Sequence, residues 1–204
     1  MHGLTSSVTM GAYFAGGGDS NSAYNYIDLE DFEVGGTCSF EVYVRFDDNG
    51  GWARVFDFGN GEYYDNIILN RYSTSSDLRF KLFTDTSGSN IETGQIIDGS
   101  ITIGQFTHIV ATVTSSNVMK LYQDGVLVGT DSSGVTAPLV ITRTNNYLGR
   151  SNWDNNTPMF KGYMKYFRVW QGHELTQAQV SHLYSHRNSA SQGSITFKVD
   201  RIAP

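Results

Sequence analysis

The sequence predicts an all-β chain, an antiparallel β-sandwich with one short peripheral helix, and three stretches carry that reading. Residues 105–129 (QFTHIVATVTSSNVMKLYQDGVLVG) hold apolar strand runs separated by two tight reversals, one at Ser115-Ser116-Asn117 and one at Asp124-Gly125. Asp-Gly between apolar runs is the strongest short-range hairpin signal, because both central residues of a type I′ turn need positive φ. Residues 37–46 alternate with the period of a strand: Phe40, Val42, Val44 and Phe46 point one way, Ser39, Glu41, Tyr43 and Arg45 the other. Only residues 172–187 read as a helix. Thr176 caps it, Gln179 completes a capping box, and Leu175, Val180, Leu183 and Tyr184 form its apolar side. Meandering strands with one apolar face can bury it only against a second sheet.

The remaining elements fall in order around these. Residues 8–15 (VTMGAYFA) read as a first strand, 16–21 as a glycine-rich loop and 24–29 (YNYIDL) as a second strand. The exposed-side pattern of residues 37–46 fits a groove or plain solvent. Asp47-Asp48-Asn49-Gly50-Gly51 turns the chain into a strand over 52–59, and Asn60-Gly61 turns it again. Residues 66–72, 78–84 and 91–97 continue the sheet, with a loop at 86–90. After the central meander, 135–141 lead to a strand near 147–150, then the loop 151–158 and a long strand over 162–170. Buried positions are expected at Phe40, Val42, Val44, Val110, Val113, Leu121, Phe167 and Val169. The domain is expected to span residues 1–187, with 188–204 a linker that carries an edge strand near 195–199 or begins a further region.

Composition narrows the function classes. A chain of 204 residues suits one all-β domain and buries about 70% of its unfolded surface without a staple. The lone Cys38 excludes an internal disulfide and sits in an apolar strand, where an inert buried thiol is expected. Only 17% of residues are charged, the net charge is −6, and Ser, Thr, Asn and Gly supply the surface. Neutral hydrogen bonding of that kind suits sugar hydroxyls. With no basic run, nucleic acid is not an expected partner. Nothing approaches the roughly 18 consecutive apolar residues of a membrane span. The opening MHGLTSSVTMG is no signal peptide, so extracellular placement would rest on a removed leader or another export route.

Three stretches also resemble a known family in its own order: residues 39–61 (SFEVYVRFDDNGGWARVFDFGNG), the aromatic-x-His lead-in and Leu-Tyr-x-Asp-Gly hairpin of 105–129, and residues 147–184 (YLGRSNWDNNTPMFKGYMKYFRVWQGHELTQAQVSHLY). Together they are similar to the laminin-G-like, concanavalin A-like jelly-roll family over roughly residues 10–186. The resemblance implies a jelly-roll sandwich and, in many members, a structural calcium held between an acidic first loop and an acidic pair in the last core strand. This chain has Phe14-Ala15-Gly16 where the family has Phe-Asp-Gly, and Lys165-Tyr166 where it has the acidic pair, leaving Asp19 as the one candidate ligand. Ca²⁺ needs six to eight oxygens with carboxylates among them. No metal or other cofactor is therefore expected.

Catalytic signals are weak. Asp28-Leu29-Glu30-Asp31-Phe32-Glu33 is acidic but lacks the Glu-x-Asp spacing that puts acid and nucleophile on one strand face. Thr107-His108-Ile109 and residues 163–166 resemble polysaccharide-lyase strands only superficially, and His108 matches the family's structural histidine. His182 and His186 have i, i+4 metal-ligand spacing with no third ligand near in sequence. Aromatic residues in loops rich in Asn, Asp and Gly are the stronger signal: Trp52, Tyr63, Tyr64, Tyr72 and Trp153, the last beside Asp154 and Asn155. A sugar ring has an apolar face and a hydroxylated rim, so an aromatic plate flanked by Asn and Asp suits it. The sequence thus reads as a non-catalytic recognition module on a secreted, cell-surface or virion protein. Its expected partner is a glycan or an extracellular protein, and Trp52, Tyr63, Tyr64, Trp153, Asp154 and Asn155 are the expected contacts. A structural or assembly domain without a small ligand is the alternative, and a polysaccharide hydrolase or lyase the third.

Overall fold

A computed structural model of the chain describes residues 6–17, 26–84, 87–153, 157–189 and 199–202. Its elements are β1 (Ser6–Gly17), β2 (Ile27–Leu29), β3 (Phe32–Val34), β4 (Cys38–Phe46), β5 (Arg54–Gly59), β6 (Ile67–Arg71), β7 (Leu78–Phe83) and β8 (Glu92–Asp98). They continue with β9 (Phe106–Val113), β10 (Met119–Gln123), β11 (Val126–Asp131), β12 (Ile141–Arg143), β13 (Asn145–Leu148), β14 (Met159–Gln171), α1 (Gln177–Ser185) and β15 (Val199–Ile202). The fold is an antiparallel concanavalin A-like sandwich. One sheet has six strands in the order β1-β14-β4-β9-β10-β11, the other seven in the order β15-β2-β13-β5-β6-β7-β8, and β12 pairs with β3.

The short-range signals are realised as local physics dictates. Asp124 (φ 49) and Gly125 (φ 83) both take the left-handed backbone between β10 and β11. The Asp124 carboxylate also accepts from the His108 main-chain N–H at 3.0 Å, tying the turn to β9. Gly125 is needed twice over, since a Cβ there would stand 3.0 Å from the Tyr184 ring. At α1, Thr176 accepts from the Gln179 N–H and Gln179 returns the bond to the Thr176 N–H. Leu175, Val180 and Leu183 then pack onto Val110, Tyr122 and Trp170 of the six-stranded sheet.

Between the sheets lies the core. All eight expected core residues are buried at 1% exposure or less, but Val110 faces away from the main core and sits under α1. Its neighbours Ile109 and Ala111 face inward opposite Val42 and Phe40. The six-stranded sheet's outer face is neither groove nor solvent along β4, a correction with a clear cause. Ser39, Glu41 and Tyr43 are buried there beneath the helix and a polar network. Glu41 accepts from His108 Nε2 at 2.8 Å, from the Tyr166 hydroxyl at 3.1 Å and from Arg168 Nη1 at 3.1 Å. Three donors compensate a fully buried carboxylate, which makes His108 a structural residue.

Other differences are ones of extent. The two-stranded pair of β3 and β12 has too few residues for periodicity to register. Arg143, fully buried, fastens that pair by donating to the main-chain carbonyls of Val34, Leu139 and Asp65. At the far end of the chain, β15 pairs with β2, so the edge strand expected near 195–199 starts at Val199 among the described residues.

Two measurements follow. Leu121, fully buried between the sheets, should lose about 2–5 kcal/mol on Leu121→Ala, read as a lower urea midpoint with unchanged slope. Burial pushes the Cys38 thiol up to about 12, against a smaller opposing pull from Arg143. It stays protonated at about pH 8, so a maleimide should label Cys38 in denaturant and leave the native protein unlabelled.

Candidate functional site

The seven-stranded sheet keeps its other face for loops and polar groups. Phe56, Phe58, Ile67, Leu69, Leu78, Phe80 and Leu82 point into the core. Strand alternation therefore turns Asp57, Ile68, Asn70, Arg79, Lys81 and Phe83 outward. Register lines these up across the strands: Asp57 beside Ile68 and Ile68 beside Lys81 in one row, Arg54 beside Asn70 and Asn70 beside Arg79 in the next.

Two aromatic pairs rim this floor. On one side Trp52 meets Tyr72 edge to face at 5.1 Å. On the other, Trp153 meets Tyr63 edge to face at 5.0 Å, and both contact Phe83. Arg54 joins the two sides: its Nη1 donates to the Trp52 carbonyl at 2.7 Å while its guanidinium stands 5.3 Å from the Trp153 ring centre. Arg79 lies 4.6 Å from the Trp52 ring centre and 6.0 Å from that of Tyr72. Trp52 is 37% exposed, a large apolar plate left partly in solvent.

The rim residues are held in costly backbone. Trp52 (φ 65), Tyr63 (φ 63), Asp65 (φ 50) and Ser73 (φ 52) all adopt left-handed conformations in the two rim loops. Such residues cost about 1 kcal/mol or more each and gather at ligand-binding sites.

Asp57 is the anchor beneath Trp153. Its Oδ2 accepts from the Asn152 main-chain N–H at 3.0 Å, and its Oδ1 accepts from Asn152 Nδ2 at 2.9 Å and Asn66 Nδ2 at 3.0 Å. Arg54 Nε stands 3.5 Å from Oδ2, near enough for charge attraction but without hydrogen-bond geometry. Burial pushes the Asp57 carboxyl above its ordinary value, and Arg54 and the asparagine donors oppose that rise. Burial likewise pulls Arg54 down, and it lowers Lys81 against the pull of Glu92, whose carboxylate lies 2.5 Å away. Arg79 is pushed down to about 10, first by burial and then by the like charge of Arg54.

Of the contacts expected from sequence, Trp52, Tyr63 and Trp153 are brought to this face. Tyr64 departs from its neighbour: its ring covers Gly88, where a Cβ would stand 2.5 Å away. Asp154 and Asn155 lie outside the described residues. The cations Arg54, Arg79 and Lys81 and the anchor Asp57 escaped the sequence reading, although the alternation in LRFKLF and RVFDFG carries their common orientation. His182 and His186 stack at 4.1 Å on the exposed helix side, and among the described residues no group of three His, Cys, Asp or Glu forms a metal cluster. Lys165 stands over the Phe106 and Tyr43 rings at 4.5 and 4.8 Å, and the Tyr166 hydroxyl donates to Glu41. Neither offers the carboxylate that a calcium between the first loop and this strand would take.

A two-sheet antiparallel sandwich of this strand order is a jelly roll. A family model described as the concanavalin A-like lectin/glucanases superfamily matches residues 19–181, and the chain belongs to that superfamily. No curated protein is matched by sequence. Among solved structures, the heptameric SAP-like pentraxin from Limulus polyphemus superposes with a TM-score of 0.67 at 15% identity, over 92% of this chain and 90% of that one. The CBM40 of Ruminococcus gnavus IT-sialidase bound to α2,3 sialyllactose gives 0.63 at 11% identity, over 89% and 97%. Domain 4 of AbnA, a GH43 extracellular arabinanase from Geobacillus stearothermophilus in complex with arabinotriose, gives 0.62 at 18% identity, over 89% of each. At these identities the likeness is one of fold. No helix among the described residues is long and apolar enough to cross a membrane.

The anchor is testable without a ligand. Asp57→Ala leaves the buried Arg54 charge without its carboxylate and the Asn152 main-chain N–H without its acceptor, so stability should fall by about 3–5 kcal/mol in denaturant unfolding. Hydrogen exchange at residues 151–153 should quicken more than in β9 or β14.

Proposed function

We propose that the protein is a non-catalytic glycan-recognition module, and that the glycan lies across the outer face of the seven-stranded sheet between the Trp52/Tyr72 and Trp153/Tyr63 rims. The observation that carries this reading is Trp52, an indole 37% exposed in a left-handed turn beside a polar floor. Its ring meets Tyr72 and Arg79 yet leaves more than a third of the residue in solvent, which suits a sugar stacked on the indole. Domains of the same fold bound to sialyllactose and to arabinotriose support a sugar as the ligand class.

The carboxylates of this face among the described residues argue against turnover. Asp57 is enclosed and has both oxygens occupied, and Glu92 is paired with Lys81. General acid–base hydrolysis needs two carboxyls free to exchange protons on opposite sides of one bond. We place the protein outside the cell, on a secreted, cell-surface or virion protein, as for the extracellular arabinanase that shares the fold.

A glycan array followed by calorimetry on the hits tests the proposal. Affinity should be weak, about 0.1–1 mM, because an open face with two or three stacking contacts must also order its ligand. Trp52→Gly removes the plate and relieves the left-handed backbone at once. Binding should vanish while unfolding free energy stays within about 1 kcal/mol of the parent. A variant that still binds every hit, or an array with none, would refute the assignment and favour an assembly role.

A further inference from the structure

Arg79 differs from the ion-paired cations of the chain in how it is compensated. Arg45 is paired with Asp47 at 2.7 Å, Lys120 with Glu174 at 2.7 Å and Arg168 with Glu41 at 3.1 Å. Arg79 is only 8% exposed, yet no carboxylate reaches it among the described residues. Its Nε donates to Asn70 Oδ1 at 3.0 Å, and the Trp52 ring supports the flat guanidinium. These two contacts fix the orientation of the fork. Its terminal nitrogens donate to no described residue. Arg54 and Lys81 flank it on the same face, so among the described residues the three cations meet two carboxylates, Asp57 and Glu92, in a chain whose net charge is −6. Positive charge beside a partly exposed indole, in an acidic chain, suits an anionic ligand.

Resting on the glycan-binding reading above, we infer that the recognised sugar is acidic, and that Arg79 is the specificity-determining residue that binds its carboxylate through the two terminal guanidinium nitrogens. A planar fork matches a carboxylate edge to edge with two parallel N–H···O bonds, each charge-assisted and roughly twice as strong as a neutral one. A neutral sugar would offer that fork only hydroxyl acceptors and leave the flanking charge uncompensated. Trp52, which touches Arg79, then stacks the apolar face of the same ring. Plate and fork at one corner fix both the tilt of the sugar and the direction of its acid group. Two kinds of sugar present this chemistry, the hexuronic acids and the nonulosonic acids such as sialic acid.

Calorimetry or ligand-observed NMR on the full chain decides between them. The probes are sialyllactose with lactose as its neutral counterpart, and trigalacturonic acid with its carboxyl-reduced form. At least one acidic probe should bind roughly tenfold or more tightly than its neutral counterpart, and added salt should narrow the gap. Whichever acid gains identifies the source. Arg79→Gln should bring its affinity down to the neutral level, and Arg79→Lys, which keeps the charge without the fork, should recover only part of it. Equal affinity for acidic and neutral members of both pairs would overturn the inference and leave the glycan reading standing. Absence of binding by all four, together with an empty glycan array, would overturn both. The comparison within each pair uses the unaltered protein, so it holds even if the Arg79 variants fail to fold.

Discussion

The outer face of the seven-stranded sheet depends on a cluster of phenylalanines between the sheets. Phe56 and Phe58 of β5 stack at 4.9 Å and meet Phe40 of β4 and Phe167 of β14 at 5.0 to 6.0 Å. Because strand side chains alternate, seating Phe56 and Phe58 inward forces Asp57 outward. A slip of one residue in β5 would bury a carboxylate in the core and expose two phenyl rings, which costs many times what any rim contact returns. The aromatic core therefore acts as the register lock for the charged floor. The floor positions Asn152, and through it the turn that carries Trp153.

The sandwich treats its two outer faces in opposite ways. The six-stranded sheet closes its face with α1 and with the Glu41, His108, Tyr166 and Arg168 network. Buried there, Glu41 has its oxygens met by these donors, while His108 Nδ1 is enclosed without a partner. The seven-stranded sheet has no helix among the described residues. Its polar groups are covered by loops that are themselves incomplete packers, with Trp52 left partly in solvent. That asymmetry separates a face built for rigidity from one whose compensation is unfinished.

How much of this was legible in the chain depends on range. Asp124-Gly125, the alternation of β4 and the Thr176/Gln179 box are local agreements between a few neighbouring residues, and each appears where the sequence put it. Membership in the jelly-roll superfamily was legible too, since its motifs span most of the strands. The floor was not. Arg54, Asn70 and Arg79 come from three strands and meet only because of cross-strand register, which no single window of sequence contains. Adjacent aromatics also mislead: Tyr63 and Tyr64 look equivalent in a loop, but the left-handed turn at Tyr63 sends it to Trp153 and leaves Tyr64 over Gly88. Arg143 reads as an ordinary loop arginine until main-chain carbonyls from three segments converge on it.

The rim loops are rooted independently of their tips. Asn152 is fixed to Asp57, and Arg71 holds the other loop by donating to the Asp48 carbonyl and Asn49 Oδ1. Both roots sit on strands whose register the core already determines. Insertions or exchanges beyond Trp153, or at the turn that carries Trp52, would thus leave the sandwich undisturbed. Such an arrangement separates stability from surface variation: a few loop residues can be replaced without touching the core, as in grafted-loop scaffolds. Variation in this chain would then fall first on its loops, over a core that stays constant.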